Sequence, residues 1–249
     1  MLLSGLRVRR QMKITIGYIE EPPFGWTGPE GTAVGSDLEL ADVVLRAIGY
    51  TRIEHQPTTF EELLPGASSG RWNMNVPLFI TPERAMTVDF SKPVWALGDG
   101  FIVAAGNPKG LDSYAAVARR EDARLGVMSG TVQQRSARSD GVRDAQILQF
   151  AHQREAIDAL LAGRIDAYAG TALGNRVEAE RIGAAQVAAV AHHAQHAPPL
   201  GAFSFGKHDK ALRDAVNRQL ERYLGSADHR QRMAKYGFTA EEIDPVLNV

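Results

Sequence analysis

The chain contains no cysteine. That absence excludes a disulfide framework, a thiolate zinc site and a cysteine nucleophile together. No segment approaches the roughly 18 consecutive apolar residues that a membrane-spanning helix requires. Charge of one sign is missing as well: 28 Lys and Arg face 29 Asp and Glu, a net charge of -1, so there is no basic footprint for nucleic acid. There is no P-loop, and no G-x-G-x-x-G follows a strand, so nucleotide binding has no support and no cofactor is implied. Aromatic residues are scarce, three Trp, six Tyr and nine Phe in 249 residues, which makes their positions informative. The remainder, 44% hydrophobic and 23% charged, is ordinary globular usage. The length suits one large domain or two small ones.

Residues 1–11 place basic side chains after a short apolar patch, the reverse of a secretory signal, and read as a disordered arm or a start artefact. From Lys13 onward, strand and helix patterns alternate. Strands are expected at Lys13 to Tyr18, Arg52 to His55 and near Met74 to Leu78. Helices are expected from Asp37 to Gly49, with Ser36 or Asp37 as cap, and from Thr59 to Leu64. Glu20 to Ala33, rich in Pro and Gly, is too irregular for either.

After an apolar strand at Gly100 to Ala105 a second series begins. It comprises helix 113–120, strand Leu125 to Met128, a helix from Thr131, strand Ile147 to Phe150, helix Gln153 to Ala162, strand Asp166 to Ala169, a helix over about 172–182 and strand Gln186 to Val190. His192 to Pro199 reads as a linker, Gly201 to Phe205 as a returning strand, and 209–224 and 227–236 as amphipathic helices. Such alternation implies parallel α/β sheets. Two series with two short crossings imply two lobes: residues 12–103 and 191–249 in the first, 104–190 in the second. In α/β sheets ligands sit beyond the carboxyl ends of strands, which puts the site in the cleft between lobes.

Several motifs compete for the chemistry. Gly66-Ala67-Ser68-Ser69-Gly70 matches G-x-S-x-G, but it follows a helix where a nucleophile elbow needs a strand, so a packing role is expected. His192 and His196 have i, i+4 metal spacing, yet no Glu lies between them and Pro198-Pro199 follows, which favours a solvated linker over zinc. Thr81-Pro82-Glu83-Arg84 is a better candidate. Thr81 caps a helix with Pro82 at its first position, and Arg84 projects from the first turn, where its guanidinium can take a carboxylate bidentately. Gly130-Thr131 repeats a strand-to-helix start with free N–H groups suited to an anion. Phe24, Trp26, Phe60 and Phe79 fall at strand ends or cleft-side loops, where their faces can hold a diffuse cation, with Glu20 and Glu21 as counter-charge.

Gly35-Ser36-Asp37-Leu38-Glu39-Leu40-Ala41, Ile80-Thr81-Pro82-Glu83-Arg84 with Val88-Asp89-Phe90-Ser91-Lys92-Pro93, and Gly163-Arg164-Ile165-Asp166-Ala167-Tyr168 together resemble the family 3 extracellular solute-binding proteins of ABC importers. The resemblance runs from about Lys13 to Phe238. It implies a type II periplasmic-binding-protein fold, two α/β lobes of mixed sheet flanked by helices and joined by two hinge crossings. It further implies a periplasmic or extracellular location, a monomer, an ABC permease as partner, and a bound small zwitterion rather than a reaction.

Amino-acid receptors of this family place an aspartate where this chain has Thr171. The chain shares Thr171 and its surrounding motifs with the ectoine and hydroxyectoine receptors. By that resemblance Phe24, Phe60 and Phe79 form an aromatic cage, Glu21 pairs with a ring amidinium, and Arg84 and Thr131 hold the carboxylate. Phe60 stands where a tyrosine is expected, and Asn75-Val76-Pro77 replaces a small apolar strand end. The alternatives are a polar amino-acid receptor and a lyase like cyclohexadienyl dehydratase.

Overall fold

A computed structural model of the chain describes residues 12–192 and 197–249. The expected arm at 1–11 and the second histidine of the His192/His196 pair lie outside the described residues. The strands are β1 (Lys13–Ile19), β2 (Trp26–Thr27), β3 (Ala33–Val34), β4 (Arg52–Thr58), β5 (Met74–Phe79), β6 (Val88–Phe90), β7 (Trp95–Ala96), β8 (Asp99–Ala104), β9 (Leu125–Met128), β10 (Ile147–Phe150), β11 (Ala167–Thr171), β12 (Val187–Ala191) and β13 (Leu200–Gly206). The helices are α1 (Ser36–Ala47), α2 (Phe60–Ser68), α3 (Pro82–Thr87), α4 (Tyr114–Arg119), α5 (Val132–Ser139), α6 (Gln153–Leu161), α7 (Ala172–Ile182), α8 (Lys210–Tyr223), α9 (Ala227–Ala234) and α10 (Ala240–Ile243).

Two sheets define two lobes. The first runs β4-β1-β5-β13-β6 with β7 also on β13, and the second runs β10-β9-β11-β8-β12. Each is mixed. β1 is parallel to β4 and β5, whereas β13 is antiparallel to β5, and β8 is antiparallel to β11 and β12. The two exceptions have one cause: β8 and β13 are the strands by which the chain enters each sheet from the other lobe, so they arrive from the opposite end. Because β8 belongs to the second sheet, the first crossing lies between Ala96 and Asp99, earlier than the 103/104 boundary expected from sequence.

The first lobe packs Ile14, Ile16, Leu40, Val44, Leu45, Phe203 and Phe205 between its sheet and helices. The second lobe packs Phe101, Tyr114, Val117, Leu125 and Val127 on one face of its sheet. A third apolar cluster joins the lobes, with Ile19, Leu63 and Leu78 of the first against Ile102, Met128 and Tyr168 of the second. The cleft lies at this junction.

The G-x-S-x-G run is helix, not elbow. Gly66 and Ser68 lie in α2, and a Cβ on Gly66 would come within 1.9 Å of the Trp72 indole, so the glycine serves packing.

Candidate functional site

Two loops and two helix starts build the cleft. After β1 the chain turns tightly, with Glu21 and Gly25 exchanging backbone hydrogen bonds at 2.7 and 3.2 Å. Gly35, with φ +138°, then presses against this turn; a Cβ there would approach the Phe24 carbonyl oxygen to 2.3 Å. Only glycine permits that approach, and it sets Phe24 and the first turn of α1 side by side. Gly35, rather than Ser36 or Asp37, is the helix N-cap. Asp37 is thereby buried at 2% exposure, its Oδ1 receiving the Trp95 indole N–H at 3.3 Å.

The cleft encloses about 580 Å³ of non-atom space, its open mouth included. Glu21, Phe24, Phe60, Phe79, Thr131 and Thr171 all line it. Arg84 does not line this space; it stands directly behind the wall. Its Nη1 donates to the Phe79 carbonyl at 2.9 Å, its Nη2 to the Gly130 carbonyl of the other lobe at 3.4 Å, and its guanidinium covers the Phe60 ring at 5.1 Å.

The capping read from sequence for this helix is present: Thr81 accepts the Arg84 N–H at 3.2 Å, with Pro82 opening α3. Arg84 is 3% exposed, and burial lowers its pKa to about 10. Its neighbour Glu83 pairs across the cleft with Arg135 at 3.3 Å instead. A buried guanidinium without a carboxylate among the described residues is costly and is ready for an anionic ligand group.

On the second lobe, Thr131 caps α5 with its hydroxyl donating backward to the Met128 carbonyl at 2.8 Å. Thr171 caps α7 and accepts the Gly174 N–H at 3.1 Å. Both helix starts therefore face the cleft as neutral, positively poled ends.

Glu21 is one of two acids at the cleft wall, Asp37 being the other. It is partly exposed as a residue, yet its carboxyl lies among apolar groups, and burial pushes its pKa up to about 7. Glu20 is not part of the site: it accepts Thr27 N–H and O–H at 2.9 and 2.5 Å and braces the β2–β3 loop. Trp26 also leaves the cleft, stacking edge-on to Tyr236 at 6.3 Å.

Asp37 and Trp95 are among the cleft-lining residues that escaped the sequence reading, as are Met128 and Gln133. Trp95 is 5% exposed and packs edge-on against Phe79 at 5.2 Å and tilted against Phe24 at 6.3 Å. The available signal was a lone tryptophan just beyond Lys92-Pro93 in a chain with only three. In the replaced strand end, Val76 and Pro77 line the cleft, while Asn75 turns into the core and donates to Ser204 at 2.9 Å. Among the described residues there is no cluster of His, Asp and Glu that could hold a metal, and His192 packs edge-on against Phe101 and Tyr114. No helix among them is long and apolar enough to cross a membrane.

Comparison with known proteins agrees with this architecture. The chain is 32% identical to the probable amino-acid ABC transporter periplasmic-binding protein y4tE of Sinorhizobium fredii (strain NBRC 101917 / NGR234), over 95% of this chain and 80% of that one. Its fold superposes on the crystal structure of EhuB in complex with hydroxyectoine with a TM-score of 0.85, 26% identity and 95% of both chains covered. The ancestral amino acid-binding protein AncCDT-1, a precursor of cyclohexadienyl dehydratase, gives 0.80 at 25% identity, covering 90% of this chain and 95% of that one. Residues 14–239 match one family throughout, so a two-lobed fold with a polar-ended cleft has a plain assignment: the chain belongs to the bacterial extracellular solute-binding proteins, family 3, the binding receptors of ABC transporters.

Proposed function

We propose that this receptor closes over ectoine, hydroxyectoine or a similar small zwitterion with a delocalised cation, and presents the closed form to an ABC permease. One observation carries the reading. Thr171, the position from which an aspartate would meet a primary ammonium, is a capping threonine whose hydroxyl is already engaged by the Gly174 N–H. A primary ammonium buried against it would lack an ionised partner, at a cost of several kcal/mol. A ring amidinium spreads its charge and suits aromatic faces plus a carboxylate, and Phe24, Phe79, Trp95 and Glu21 line the cleft together. Arg84 and the Thr131 helix start then take the ligand carboxylate from opposite lobes. The resemblance to the hydroxyectoine complex adds support. Because contacts from both lobes exist only in the closed form, the ligand shifts the open–closed equilibrium toward it.

A thermal-shift panel tests this. A ligand at about a hundred times its dissociation constant adds about 2.7 kcal/mol and moves the midpoint by several degrees. Shifts with ectoine and hydroxyectoine, and not with the acidic, basic or amide amino acids, are expected. A shift with an ordinary amino acid instead supports the second reading, a polar amino-acid receptor. The name of the Sinorhizobium relative favours that reading, with Glu21 then serving as the ammonium's partner. An enzymatic reading rests on Glu21 as a general acid, given its pKa of about 7. Turnover of prephenate would be its signature.

A further inference from the structure

The cleft contains more acid than a zwitterion's single cation requires from one carboxylate. Asp37 is buried, lines the same cavity as Glu21, and is anchored through one oxygen only: Oδ1 receives the Trp95 N–H at 3.3 Å and the Ser36 hydroxyl at 3.5 Å. Among the described residues Oδ2 receives no hydrogen bond, and the Glu21 carboxyl receives none at all. No Lys, Arg or His among the described residues pairs with either acid. Neither carboxyl has a counter-charge among the described residues, and desolvating a carboxylate without one is costly, so two acids facing one cavity need an explanation beyond packing.

We propose that Asp37 is a second carboxylate of the cation subsite, so that Glu21 and Asp37 together receive two N–H donors of one delocalised cation. The inference rests on the cleft being the ligand site and narrows the ligand class to amidinium or guanidinium groups. Two N–H bonds pointing to different sides of a planar cation can meet two separate carboxylates. A quaternary ammonium has no N–H and gains nothing from Asp37. Trp95 becomes a positioning residue: its indole fixes Oδ1 and leaves Oδ2 toward the cavity. Burial desolvates Asp37 and the Glu21 charge adds a smaller repulsion, so Asp37 is pushed well above the usual carboxylate range. The one charged group acting on Asp37 is Glu21, which also raises the buried Tyr168 phenol. The unliganded pair therefore holds protons that a bound cation displaces.

Calorimetric titration of the wild type, Asp37→Asn and Glu21→Gln with ectoine, L-arginine and glycine betaine tests the assignment. Asn preserves an oxygen for the Trp95 N–H, so a melting curve near that of the wild type is expected. The proposal predicts that Asp37→Asn weakens the N–H cation that binds the wild type at least tenfold and leaves any glycine betaine binding unchanged. Unchanged affinity for that cation in Asp37→Asn, with loss in Glu21→Gln, overturns the role of Asp37 alone. A wild type that binds neither ectoine nor arginine overturns this inference and the proposed function together.

Where Asp37→Asn fails to fold, Glu21→Gln still decides. Titrations of that variant in buffers of different ionisation heat count protons released on binding. Release that persists without the Glu21 carboxyl requires Asp37, and its absence overturns the assignment.

Discussion

The first lobe faces the cleft with charge and aromatic rings, Glu21, Asp37, Phe24, Phe79 and Trp95, with Arg84 behind them. The second faces it with neutral groups, Met128, Thr131, Gln133 and Thr171. The division follows from how each wall is made. First-lobe side chains come from a glycine-tightened loop, a helix first turn and two strand ends, where long side chains have room. Second-lobe contacts come from two helix starts whose capping threonines already spend their hydroxyls on backbone. In the proposed function the first lobe selects the ligand's charges, and the second detects its presence through helix ends and shape.

Removing the cationic end of the first-lobe site should have the largest effect. Arg84→Ala is expected to cost about 2 kcal/mol or more of binding, roughly thirtyfold, by analogy with breaking a buried charged pair. Calorimetry reads this directly. Arg84→Met should show the same loss while raising the melting temperature of the ligand-free protein, because it removes a buried unpaired charge.

Glu21→Gln comes next, with a loss of about tenfold for a cationic ligand. Its wild-type counterpart is a pH dependence. The folded pKa of about 7 lies above the ordinary value of 4.5, so between these values the native state holds a proton that the unfolded chain has released. This contribution is fully present below about pH 4.5 and is lost as pH rises through 7, so ligand-free stability should fall across that window. Affinity for a cation should rise over the same window, which melting curves and titrations at pH 5, 6, 7 and 8 would follow.

Thr171→Asp sharpens the contrast by giving the second lobe an acid. Aspartate is as good a helix cap as threonine, so α7 should persist. Competition titration is expected to show amino acids with a primary ammonium gaining about tenfold relative to ectoine. The smallest effect belongs to the cleft rim. Arg135→Gln removes the exposed interlobe pair with Glu83 at 3.3 Å, for which about 0.2–1 kcal/mol is expected. Affinity should drop about threefold at low salt and hardly at all at high salt.

Much of the fold was legible in local patterns. Strands Leu125–Met128 and Ile147–Phe150 and helix Ala172–Ile182 match the sequence reading at both ends, because each is a clear periodic run between turn residues. β4 continues past His55 through Pro57 to Thr58, since it is an edge strand where proline's missing N–H costs no ladder bond. The two-residue β7 was invisible, because only pairing with β13, more than a hundred residues away, makes it a strand. Trp95 sits on that strand, and Asp37 reaches the cleft only through the Gly35 contact with the Phe24 turn. Both therefore depend on long-range packing. The Thr81 cap that sets the position of Arg84, by contrast, was readable because the motif is local.

The most direct test is a calorimetric comparison of ectoine with L-glutamine and L-arginine on the wild-type protein. A first lobe that supplies both acids lining the cleft, opposite a second lobe that lines it with none, predicts that ectoine binds at least tenfold more tightly than either amino acid. Tighter binding of either amino acid would contradict it, and would mean that Glu21 and Asp37 hold a primary ammonium or a side-chain cation without help from Thr171.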